Sequence, residues 1–408
     1  MATPVLQIIL WVCLGAVAYN YVGYPVVLFV LSSVFQMKSD LLYLIRRKTR
    51  RCTSPVDYVP NVALLISAYN EEAVIGAKVK NTLELNYPRE RLEVLFGLDA
   101  PTDSTAEVLN QFEMGQFQTF HFSTRRGKLA VLRELARRTS ADILIFTDAN
   151  TMLERSCIRN LVRHFADPSV GAVSGEEVRM VAPGTDPAAE SLYWRYESAL
   201  KVLESRLNCL QGGNGAALAV RRTLFNPRRE SIVEDFQIPL EIRFNGHRVV
   251  YDPEAIAVEE ITPGFSAQFA RRIRIGAGNY QTLFANPGYL KPSKTLLTFS
   301  FFSHRVLRWL TPVLLPVAFA CNVMLTMQSQ FAMLLIMQSA FYMMAVSGYW
   351  LKKRSRSLGL LAVPFHFCLM NLALLLGLVA YLRGKQSAVW KSTPRQMPVE
   401  ILSLKGDN

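Results

Sequence analysis

Apolar and polar positions divide the chain into three stretches of different texture. Residues 1–37 contain no charged side chain, and the apolar run from Val5 to Phe35 exceeds the ~20 residues that cross a bilayer. Between residues 55 and 290, short apolar runs of strand length alternate with amphipathic helical periods. Strands are predicted at Val62–Ser67, Leu92–Leu98, Phe117–Phe122, Asp142–Thr147 and Val170–Glu176. Helices fall between them, at Glu72–Leu85 and Lys128–Arg138 for example. Residues 309–351 again lack charge and divide into two spans near Gln328–Gln330. Leu358–Leu382 is a further apolar run, interrupted by Pro364.

Strand–helix alternation predicts an α/β domain with a mostly parallel sheet. Ligands of such sheets bind beyond the carboxyl ends of the strands. The domain is expected to sit between transmembrane helices. The expected segments are a transmembrane helix at 1–37, a cytosolic α/β domain at 38–292, an interfacial helix at 293–308, two or three spans at 309–382 and a tail at 383–408. In the interfacial helix, His304, Arg305 and Arg308 would lie near headgroups. A cleaved leader is disfavoured by the length of the first run and by the lack of basic residues before it.

Charge and composition sharpen this picture. The chain has 408 residues, 50% of them hydrophobic, and a formal net charge of +13. Lys38, Arg46, Arg47, Lys48, Arg50 and Arg51 follow the first run, and Lys352, Lys353, Arg354 and Arg356 follow the later ones. Both clusters read as cytosolic flanks rather than a nucleic-acid surface. Arg383, Lys385, Lys391 and Arg395 place the tail on the same side. With Leu358–Leu382 as a full span, the tail would instead lie outside, which makes that run a candidate re-entrant segment. The six cysteines are scattered and form no zinc or disulfide pattern.

The strand ends carry the candidate chemistry. Tyr69, Asn70, Glu71 and Glu72 follow the first strand, where a ring and carboxylates can meet a base or ribose, or serve as an acidic helix start. Asp99 ends the second strand. Arg125, Arg126, Gly127 and Lys128 open a helix, with cations and N–H groups suited to phosphate. Asp148 ends an apolar strand, where a carboxylate can hold Mg²⁺ or Mn²⁺ against phosphate oxygens. Glu234 and Asp235 precede a helix and offer a general base. Gln268, Arg271, Arg272 and Arg274 share one helix, whose arginines suit bidentate phosphate contacts.

Taken in order, these segments and Gly213-Asn214-Gly215-Ala216 resemble the membrane-integrated family 2 glycosyltransferases, the group of cellulose, hyaluronan and poly-N-acetylglucosamine synthases. The resemblance covers roughly residues 60–310. It implies a GT-A-type, Rossmann-like domain that uses a nucleotide-sugar, expected to be a UDP-sugar, with Mg²⁺ or Mn²⁺. Tyr69, Glu71 and Asp99 would hold uracil and ribose, and Lys128, Gln268, Arg271 and Arg272 would also bind donor. Asp148 and Asn150 would hold the metal, and Gly213, Asn214 and Glu234 would meet the acceptor. Asp235 would be the base of an inverting transfer. Trp390–Arg395 resembles a short element of hyaluronan synthases.

Three positions depart from the pattern. Asn150 replaces an aspartate, Arg272 a tryptophan, and Ala100-Pro101 a Gly-Ser pair. The expected function is extension of an exopolysaccharide at the bacterial inner membrane, with an export partner or self-association. A single transfer to a membrane lipid is the first alternative, and a non-catalytic membrane scaffold the second.

Overall fold

A computed structural model describes residues 2–46, 58–112, 115–180, 188–227, 232–260, 265–291, 295–354 and 356–384. Trp390–Arg395 and the basic residues 47–51 lie outside them. In chain order the elements begin with α1 (Ala2–Ala18), a π-helical turn (Tyr19–Gly23) and α2 (Tyr24–Arg46). Next come β1 (Val62–Ala68), α3 (Glu72–Leu83), β2 (Leu92–Asp99), α4 (Thr105–Asn110), β3 (Gln118–Phe122), α5 (Lys128–Arg137), β4 (Ile143–Asp148) and β5 (Thr151–Leu153). They are followed by α6 (Cys157–Val162), β6 (Val170–Met180), α7 (Ala188–Arg206), β7 (Leu218–Arg221), α8 (Glu234–Phe244) and β8 (Arg248–Glu260). The chain closes with α9 (Phe265–Ala285), α10 (Thr295–Ser300), a second π-helical segment (Phe301–Val306), α11 (Leu307–Met324), α12 (Ser329–Lys353) and α13 (Ala362–Leu382).

The described residues form two compact units. A sheet unit comprises residues 36–182 and 204–268, and a helical unit residues 1–35, 183–203 and 269–386.

In the sheet unit eight strands lie in the order β3-β2-β1-β4-β7-β6-β8-β5. β1 is central and all seven of its residues are buried, which explains why it reads as an unbroken apolar run rather than an alternating one. Its parallel neighbours are β2 and β4, and Ser67 on β1 lies opposite Asp148 on β4. β7 then runs antiparallel to β4, with Leu218 opposite Phe146. The strand ends of β1, β2 and β4 and the loop leading into β7 therefore emerge on one edge. The sheet is mostly parallel yet mixed: β4–β7, β6–β7 and β5–β8 are antiparallel.

Three strands have no counterpart among the predicted ones. β5 and β7 have only three and four residues, too short for a period to show. β8 is long, but its register against β6 shifts around Asp252–Ile256. α5 packs on β2 through Gly97, where a Cβ would stand 2.3 Å from Val131 Cγ1. Only a glycine admits that approach.

Among the described residues, four helices are long and apolar enough to cross a membrane: Thr3–Ile45, Leu296–Met324, Gln330–Lys353 and Gly359–Leu382. α11 ends at Met324 and α12 begins at Ser329. Residues 295–308 differ from the expected interfacial helix. They run unbroken into α11, and His304 and Arg308 are buried rather than surface-facing. Glu197 of α7 accounts for this, because it accepts a hydrogen bond from Arg308 Nη1 and lies 3.6 Å from His304 Nε2. Pro364 does not interrupt the last run. It sits in the first turn of α13, where a missing N–H costs no helical bond. α9 and α13 approach closely at Gly276 and Gly377; a Cβ on Gly377 would lie 2.8 Å from the Ala277 nitrogen.

Candidate active site

Two turns at the sheet edge are held in register by side chains. Asn70, after β1, and Ala100, after β2, both have φ of 53°, in the left-handed region. Asn70 tolerates this, whereas Ala100 carries strain at the position where the family pattern has glycine. Asn70 Oδ1 accepts the Thr102 N–H at 2.8 Å, and Asn70 Nδ2 donates to Thr102 Oγ1 at 3.0 Å. Glu71 is buried, and its N–H donates to Thr105 Oγ1 at 2.8 Å. Glu72 and Asp103 exchange bonds with the opposite turn: the Glu72 N–H donates to Asp103, and the Ser104 N–H to Glu72.

Asp99 is fully buried. Its Oδ1 accepts the Arg126 N–H at 2.7 Å and its Oδ2 the Gly127 N–H at 3.0 Å. It thereby shapes the loop that delivers Arg125 and Lys128. Gly127, at φ 87°, supplies the left-handed step just before α5. Arg125 stacks on Tyr69, with its Cζ 3.2 Å from the ring centroid. The sequence showed Arg125 only as part of a basic turn, and nothing in it marks the stack, which joins residues far apart in the chain.

Lys128 stands at the centre. Its Nζ lies 2.6 Å from Asp148 Oδ1 and 2.7 Å from Glu234 Oε1. Burial opposes its charge, but the two carboxylates outweigh burial and hold the ammonium well above its ordinary value. Glu234 and Asp235 form the first turn of α8, where acidic groups suit the helix dipole. Gly213 donates its N–H to the Asp235 carbonyl at 2.9 Å. A Cβ on Gly215 would stand 3.4 Å from Lys128 Nζ and 3.5 Å from Asp235 Oδ2, so both groups flank this glycine. Asn214 is buried, with its N–H on Ser174 Oγ at 2.9 Å and its Nδ2 on the Gly175 carbonyl at 2.7 Å. Asn150, also buried, donates Nδ2 to Glu259 Oε1 at 3.0 Å.

The structure thus brings together Tyr69, Glu71, Asp99, Lys128, Asp148, Asn150, Gly213, Asn214, Glu234 and Asp235 on one edge of the sheet unit. Gln268 ends that unit near the start of α9, while Arg271 and Arg272 lie further along α9 in the helical unit. Among the described residues no group of three or more His, Cys, Asp or Glu forms a metal cage. The edge instead gathers a cation between carboxylates, a pair of acids at a helix start, and two glycines that leave room beside them.

The chain is 28% identical over 240 residues to the beta-monoglucosyldiacylglycerol synthase of Synechocystis sp., covering 56% of this chain and 49% of that one. It is 24% identical over 246 residues to the poly-beta-1,6-N-acetyl-D-glucosamine synthase of Staphylococcus aureus, covering 56% and 57%. The chain spans about half the length of the curated relatives it matches. A solved structure, the mannosyltransferase PcManGT from Pyrobaculum calidifontis in complex with GDP-Man and Mn²⁺, superposes with a TM-score of 0.71 at 22% identity, covering 93% of this chain and 100% of that one, a likeness of fold. Residues 60–278, more than half of the chain, match the family described as Glycosyltransferase like family 2; with its GT-A-type sheet and its long apolar helices, the chain belongs to the family 2 glycosyltransferases.

Proposed function

We propose that the chain is an inverting transferase that takes a sugar from a UDP-sugar on the cytosolic face of the bacterial inner membrane and adds it to a growing exopolysaccharide. The observation that carries the reading is the convergence of Lys128, Asp148, Glu234 and Asp235 around Gly215. Tyr69, Glu71 and Asp99 form the nucleoside side. Lys128 faces the diphosphate. Gly213, Asn214 and Glu234 form the acceptor side.

The donor set fits a divalent ion carried by the nucleotide. Asp148 offers a partly exposed carboxylate and Asn150 an amide oxygen. Phosphate and water would fill the remaining positions, as a hard Mg²⁺ or Mn²⁺ prefers. Such an ion, when bound, neutralises charge on the leaving diphosphate. Glu234 Oε1 pairs with the Lys128 ammonium, and the acceptor proton goes to Asp235. The deprotonated hydroxyl attacks the anomeric carbon from the side opposite the leaving nucleotide, and the configuration inverts. Lys128 stabilises the charge that develops on the leaving group.

A single transfer to a membrane lipid is the second reading. It is favoured by the four apolar helices found among the described residues, a small number for enclosing a polymer path without self-association or an export partner. The test is a screen of UDP-sugars for Mg²⁺- or Mn²⁺-dependent UDP release by the detergent-purified chain, followed by sizing of the product. A long glycan supports the first reading and one sugar on an extractable lipid the second. No release with any nucleotide-sugar and acceptor would sink both.

A further inference from the structure

The core-facing stripe of α3 reads Val74, Ile75, Lys78, Val79 and Thr82. Lys78 is the exception in it, an ammonium with no exposed surface. Its Nζ donates to Thr147 Oγ1 at 3.2 Å and to the Thr151 carbonyl. These two residues flank Asp148-Ala149-Asn150 on either side. Three residues further along α3, Asn81 grips the same segment again: its Nδ2 donates to the Leu153 carbonyl at 2.9 Å, and its Oδ1 accepts the Leu153 N–H at 2.8 Å. Among the described residues Lys78 makes no ion pair. A buried ammonium that makes no ion pair carries a desolvation penalty, and a methionine would fill the same volume without it. The opposite end of α3 carries Glu71 and Glu72, fastened to Thr105 and Asp103. One rigid helix therefore links the turn after β1 to the turn after β4.

We infer that Lys78 is a positioning residue for the Asp148 carboxylate: it pins both ends of the 148–150 turn to α3 and thereby fixes the distance between the nucleoside side and the diphosphate side of the site. The inference rests on the proposed role of Asp148. Lys78 touches no substrate. It acts through the turn.

The test uses the full chain in detergent with Mn²⁺ and UDP as probes, free Mn²⁺ being counted by electron paramagnetic resonance. Lys78→Met conserves volume and is expected to fold, as thermal melting would show. Its Mn²⁺–UDP affinity should fall ~10-fold or more, the range seen when a residue supporting a metal ligand is removed. In the wild-type chain and this variant, KM for the donor should move more than kcat. Affinity within about twofold of wild type in folded Lys78→Met overturns the inference. Should that variant not fold, Thr147→Val decides: it keeps the lysine and removes one of its two acceptors, and unchanged affinity there overturns the inference equally. Wild-type chain that binds no Mn²⁺–UDP, or Asp148→Asn that binds it as well as wild type, overturns the reading of Asp148 itself and this inference with it.

Discussion

Asn150 donates its amide to Glu259 at 3.0 Å, both residues being buried. This bond gives the family departure at position 150 a physical reason: a carboxylate there would face another carboxylate. Glu177 adds to the same cluster. Burial, opposed by Arg179 and reinforced by Glu259, raises its carboxyl above the ordinary range. Restoring the aspartate of the family pattern, Asn150→Asp, is therefore expected to lower stability by ~1–3 kcal/mol, the cost of an unmet buried polar group, and to leave metal affinity no better. Pairing it with Glu259→Gln should recover most of the loss. Thermal melts of the two variants check this, and a stabilised Asn150→Asp contradicts it.

The assignment of the base predicts that Asp235→Asn loses at least ~10²-fold in turnover, as expected for removal of general-base catalysis. The main-chain bond from Gly213 to the Asp235 carbonyl does not depend on the carboxyl group, so the fold should be retained. Donor hydrolysis and transfer assays on the same preparation measure the effect. Near-normal turnover would move the base elsewhere.

Burial lowers the Lys78 ammonium from its ordinary 10.5 to about 7, against the attraction of Asp148. Between those values the unfolded chain binds a proton that the folded chain has released. The penalty of burying the charge is thus complete below the folded value and fades as pH rises toward the unfolded one. The melting temperature of wild type, compared with Lys78→Met, should therefore rise between pH 6 and pH 9. A difference that stays constant across that interval would show that the group does not titrate there.

In the helical unit, Glu197 and Arg308 form a buried pair, and the guanidinium also lies over Tyr21, 5.5 Å from its ring centroid. Arg308→Met would leave the Glu197 carboxylate buried without its arginine and is expected to cost ~3–5 kcal/mol. Arg308→Met combined with Glu197→Leu should cost less than the single change. Detergent melts of the single and double variants measure the difference, and simple additivity would argue against a coupled pair.

Much of the sheet was legible because β1, β2 and β4 are buried runs whose ends carry the polar residues of the site. Asp99, Lys128, Asp148 and Asp235 stood out as charges placed where apolar runs stop. The partners of these residues were harder to see. Glu259 lies 109 positions from Asn150, and no local period links them. Lys78 did leave a trace, as a charge on the apolar stripe of an amphipathic helix, but a stripe alone does not say what a charge within it touches. His304, Arg305 and Arg308 read in the sequence as a surface cluster, while the carboxylate that meets the buried Arg308 is on α7.

The reversal of strand direction at β7 has an evolutionary side. The turns proposed to face the nucleoside and the metal arise where strands finish, within residues 67–150. Those proposed to face the acceptor arise where β7 and α8 begin, within residues 213–235. The two specificities are thus written in separate, consecutive stretches of the chain and meet only in space. Substitutions can accumulate in the second stretch and redirect the product while the first goes on recognising the same nucleotide, a modularity suited to a family whose named relatives make a glycolipid in one case and a polysaccharide in another.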